Sequence, residues 1–160
     1  MPSLPNLIDE DVREIDAALE DFLSKSEATA ALLSAEGGFL IFQKGDTSQF
    51  DPTTLSALAA NAFSATQAIA GLLSESSFST VYQQGVRFSI LIGQVNRQHQ
   101  LVVVFPASSS VGAVKYFAAF AVQTIATQLR KAKERAPDEG FDLATLNVAD
   151  PCGLFRMHKA

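Results

Sequence analysis

The chain has 160 residues, a net charge of −5, 48% hydrophobic residues and one cysteine, Cys152. That size suits a single domain that buries its core without a metal or disulfide staple, and a lone thiol excludes an internal disulfide. The acidic balance argues against a general nucleic-acid binder, and a polar N-terminus without an apolar signal core makes the cytoplasm the expected location.

The N-terminal segment places Ile8, Val12, Ile15, Leu19 and Phe22/Leu23 at three- and four-residue steps with acids between them. This spacing predicts an amphipathic helix over about 9–25, its first-turn acids well placed for the helix dipole. Two short apolar runs follow, ATAALLS and FLIFQK, separated by Ala35-Glu36-Gly37-Gly38. They read as a hairpin with a Gly-containing turn.

Asp51-Pro52-Thr53-Thr54 then opens a helix over about 52–74, with proline near its first position. No charge occurs between Asp51 and Glu75. Leu55, Leu58, Ala62, Ala65/Thr66, Ile69 and Leu73 form a stripe expected to face the core, and Ala57, Ala60, Ser64, Ala68 and Gly71 form a second, small-residue stripe. A surface helix normally carries Lys and Glu on its outer side. The helix is therefore expected to be covered on both sides, the small side by another protein element. A membrane span is the rival reading by length, but Asn61, Gln67 and the many Ser and Thr speak against it.

Three strands come next. FSTVYQQ leads to Gly85, VRFSILIGQV alternates Val86, Phe88, Ile90 and Ile92 on one face, and the unbroken Leu101–Phe105 run fits a central strand covered on both sides. Ser110 is placed to cap a third helix over about 111–135, with Val111, Val114, Ala118, Ala121/Val122, Ile125 and Leu129 as its core stripe. The basic cluster Arg130, Lys131, Lys133 and Arg135 complements that helix's C-terminal dipole. Phe39, Phe42, Phe88, Phe105, Phe117 and Phe120 are expected in the core. The order helix–two strands–helix–three strands–helix, with hairpin-length connections, predicts an α+β domain: a five-stranded antiparallel sheet with helices on both faces, spanning 1–136. Residues 137–160 read as a tail, flexible or ordered by docking.

Catalytic chemistry finds no footing. There is no phosphate-cradling glycine loop and no nucleophile elbow, and His99, His158 and Cys152 lack metal-ligand spacing. No cofactor, metal or catalytic residue is assigned, and the chain is not expected to be an enzyme.

Leu58-Ala59-Ala60-Asn61, the run from Ala65 to Leu73, Phe78 and Gln83-Gln84-Gly85 resemble the roadblock/light-chain-seven domain family, in its MglB-like bacterial branch. The likeness extends over roughly 28–130, from the Gly37-Gly38 hairpin to the entry of the third helix. It implies a roadblock/profilin-like fold and a homodimer. It also implies a non-catalytic, activating role toward a small Ras-like (MglA-type) GTPase, which would rearrange the GTPase's own switch residues without an inserted arginine. The partner-binding positions it implies are Ala57, Ala60, Asn61, Ser64, Ala68, Gly71 and Leu72, without nucleic acid and without membrane insertion. The alternative is a roadblock adaptor that dimerises and tethers complexes without changing GTP hydrolysis. A small-molecule sensor is a third possibility and would require a cavity with converging polar groups.

Overall fold

The computed structural model describes residues 6–135. The elements are α1 (Asp9–Ser26), β1 (Ala30–Ala35), a 3-10 turn (Glu36–Gly38), β2 (Leu40–Gly45), α2 (Pro52–Leu72), β3 (Thr80–Gln84), β4 (Phe88–Asn96), β5 (His99–Pro106) and α3 (Val111–Glu134). All strand pairs are antiparallel, in the order β2-β1-β5-β4-β3. The expected α+β architecture is the one observed. The expected tail, 137–160, lies outside the described residues, as do Cys152 and His158.

Successive residues of a strand point to opposite faces, and this divides the core in two. Leu33, Leu101, Val103 and Phe105 meet Ile15, Leu19 and Phe22 of α1 and Val114, Ile125 and Leu129 of α3. On the other face, Leu32, Val102 and Ile92 meet Ala59 and Phe63 of α2. Because β5 is central and covered on both sides, its apolar run needs no polar alternation.

Capping follows the expected chemistry. The Asp51 carboxylate accepts from the Thr54 amide (2.9 Å), and Ser110 Oγ accepts from the Ala113 amide (3.3 Å). Three expectations fail. Val86 lies in the turn before β4 and is exposed, since that strand begins only at Phe88. Phe39 and Phe120 stand on the surface, not in the core. The third failure concerns α2.

Part of the stripe expected on the inner side of α2 is turned outward, while Leu55 and Ala62 of that stripe pack toward the sheet. Leu58, Ile69 and Leu73 are all more than half exposed, while Ser56, Ala59, Ala60, Phe63 and Ala70 are buried. The reason is distance. A Cβ placed on Gly38 would come within 2.6 Å of the Ala57 Cα, so the hairpin turn lies directly against the helix backbone. At that point of the helix a large side chain does not fit and a small one does, while farther along Phe63 fills the space over the sheet. Gly38 also holds a φ of +86°, which side chains other than glycine adopt only with strain. Gly38→Ala is therefore expected to cost about 2 kcal/mol or more, through steric displacement added to backbone strain. A urea midpoint unchanged from the parent protein would show that the contact yields freely.

Candidate interaction surface

Two polar contacts set α2 in place. Beneath its first turns, Ser56 Oγ donates to the Gly38 carbonyl (2.8 Å) and lies 2.6 Å from Ser34 Oγ, both serines being fully buried. Farther along, the Gln67 side chain grips the backbone of Phe78 from both sides. Its Nε2 donates to the Phe78 carbonyl (2.6 Å), and its Oε1 accepts from the Phe78 amide (3.2 Å). Gln67 thus satisfies the chain leaving α2 for β3 and fixes the helix's rotation about its own axis. Buried hydroxyls and amides left unpaired would be costly, so these contacts specify one seating.

With that rotation fixed, the open side of α2 presents Leu58, Asn61, Ala65, Ile69 and Leu72 at three- and four-residue steps, flanked by Ser64, Ala68 and Gly71. Leu58 is 60% exposed, Ile69 51% and Leu72 85%. The stripe is continuous, contains no ionisable group, and ends only at Asp51 and Glu75. The Thr54 hydroxyl and amide hold the Asp51 carboxylate below the usual range. The face offers protruding Leu and Ile side chains beside low Ala and Gly positions. Such a surface makes close, dry contact with another helix, and contiguous exposed apolar surface of this kind marks interaction sites.

The expected binding positions divide accordingly. Asn61, Ser64, Ala68, Gly71 and Leu72 lie on the open face. Ala60 is buried within the protein, and Ala57 sits half-buried against the Gly38 turn. Ala60 belongs to the side that packs inward, and Ala57 stands at the edge of that side. Leu58 and Ile69 join the open face in their place. The Gly37-Gly38 pair is the signal in the sequence that the inner side of the following helix has to be small.

By length and composition α2 could cross a membrane, but its inner side is packed on the sheet as a core-flanking helix's would be. Among the described residues, no group of three or more His, Cys, Asp or Glu side chains gathers to hold a metal. His99, at the start of β5, is buried. Its Nδ1 lies 2.8 Å from Asn96 Oδ1, and burial pushes its pKa down. It serves the β4–β5 turn. A recess of about 60 Å³ between α1 and α3, lined by Ala18, Phe22, Phe117 and Ala121 among others, has room for a few waters only and does not suit a small-molecule site.

No protein-family model matches the chain, and no curated protein does. Solved structures do. An MglB structure with tetrameric arrangement is 30% identical with a TM-score of 0.75, over 82% of this chain and 98% of that one. The gliding protein MglB of Thermus thermophilus is 30% identical with a TM-score of 0.74, again over 82% and 98%. MglB of Myxococcus xanthus shares the fold at 24% identity and a TM-score of 0.75, over 81% and 98%.

Proposed function

The chain belongs to the MglB family of roadblock domains, and from that premise we propose that it is a dimeric, non-catalytic regulator of a small Ras-like GTPase, of the MglA type. The observation that carries the reading is the uncharged open face of α2, where Leu58, Ile69 and Leu72 stand in solvent on a helix already packed on its other side. Two such faces covering each other, or one covering a GTPase, would remove an apolar stripe from water, and specific interfaces typically bury about 1,200–2,000 Å². Regulation then works by differential affinity. A surface that binds one switch conformation of the GTPase better shifts its population toward that state.

Activation by this route draws on the GTPase's own catalytic groups. The absence of Lys and Arg from 52–74 supports it, since an arginine finger acts by placing a guanidinium on the transferring phosphate. The test is phosphate release from a Ras-like GTPase encoded beside this chain, with and without the purified protein. Hydrolysis is expected to rise by roughly tenfold or more, toward the range seen with activators. Binding with an unchanged rate of hydrolysis and exchange would make the protein an adaptor. No binding at all would remove the GTPase from the account.

A further inference from the structure

The carboxylate of Asp11 is fully buried although it lies in the first turn of an exposed, acidic helix. Its oxygens gather donors from three places. The Ile8 amide donates to Oδ2 (2.9 Å), and Gln128 Nε2 of α3 donates to Oδ1 (2.6 Å). Arg135 clasps both oxygens with its guanidinium, Nη1 to Oδ2 at 2.8 Å and Nη2 to Oδ1 at 3.0 Å. Arg135 is the residue just past the end of α3, in extended backbone, so the clasp closes the end of that helix.

Beyond Leu129, apolar packing on α3 nearly runs out. Arg130, Lys131, Lys133 and Glu134 are exposed, and Ala132 alone of residues 130–134 is buried. One methyl group holds a helical turn weakly. A bidentate Arg–carboxylate pair, shielded from water and further bonded to Gln128, is a much stronger and more directional tie. We propose that Asp11 is a latch: it pins the last turn of α3 to the start of α1. Without it, residues 130–135 open as a local unit while the sheet stays folded. The latch sits in the α1/α3 layer, across the sheet from α2, so it acts apart from the α2 surface.

Amide hydrogen exchange on the full chain with Asp11→Asn tests this. The substitution keeps the side chain's size and removes its charge. Exchange of amides 131–135 and of Ile8 is expected to quicken by about tenfold or more, and 131–135 to keep at least about tenfold less protection than amides 101–105 of β5, the signature of local and not global opening. Trypsin cleavage after Lys131 and Lys133 should accelerate in step. Arg135→Lys, which keeps the charge but loses the fork, should fall between the two proteins. Unchanged exchange at 131–135, or protection at 131–135 equal to that of β5, would overturn the latch. If Asp11→Asn does not yield folded protein, Arg135→Ala in the same measurement is read by the same two criteria.

Discussion

Ile69→Glu together with Leu72→Glu is expected to leave the fold's stability nearly untouched and to abolish self-association. Both side chains stand more than half in solvent, so the monomer loses little by the exchange, within about 0.5 kcal/mol for surface positions of this kind. In an interface related by a two-fold axis each substitution occurs twice, which places four carboxylates on a surface that otherwise carries no charge. Desolvating even one of them without a partner costs several kcal/mol. Self-association should therefore weaken by roughly a thousandfold or more, equivalent to about 4 kcal/mol. Sedimentation velocity at micromolar concentration reads this directly, beside a thermal melt that should not move. Ser64→Arg and Ala68→Arg on the same open face should likewise abolish capture of the GTPase. An Ile69→Glu/Leu72→Glu protein that sediments like its parent would show that the stripe touches nothing.

The second large effect is expected in acid. The Arg135 guanidinium, followed by the Ile8 amide and Gln128, holds the Asp11 carboxyl at a pKa of about 2 against an ordinary 3.8, overcoming the opposing effect of burial. A carboxyl depressed in the folded state binds its proton more readily when the chain unfolds. Its contribution is thus complete above about pH 4 and is lost as the pH falls toward 2. That contribution is about 2 kcal/mol, at 1.36 kcal/mol for each pH unit of displacement. Urea midpoints measured from pH 5 down to pH 2 should decline accordingly. Asp11→Ala should flatten that part of the decline and cost about 2 kcal/mol or more at neutral pH, because it removes the carboxylate that accepts from the buried Gln128 and from Arg135. An Asp11→Ala protein as stable as its parent, with the same acid profile, would contradict the assignment.

The elements are legible because their signals are local. Alternation and unbroken apolar runs mark the strands, three- and four-residue spacing marks the helices, and Asp51-Pro52 and Ser110 mark two helix starts to the residue. The rotation of α2 is not legible. A helix is normally oriented by its charges, and α2 has none, so spacing alone puts the large side chains inward and the small ones outward. The structure turns the helix part-way from this: Ser56 and Ala57 seat against Ser34 and Gly38, Ala59, Ala60 and Phe63 are buried, and Leu55 stays inward with Ser64, Ala68 and Gly71 outward as expected. Leu58 and Ile69 reach the surface by that rotation and join the open face, while Ala60 is buried. The clasp between Asp11 and Arg135 is equally hidden. Its partners lie 124 residues apart, and each alone is a routine helix-end charge.

The account turns on whether the outer flank of residues 52–72 meets a second chain. Light scattering on the unmodified protein, held at micromolar concentration without any GTPase, decides it most directly. A mass of twice the 17.1 kDa chain is the expected result. A single-chain mass at every concentration tested, with Ile69 and Leu72 open to water, would contradict it.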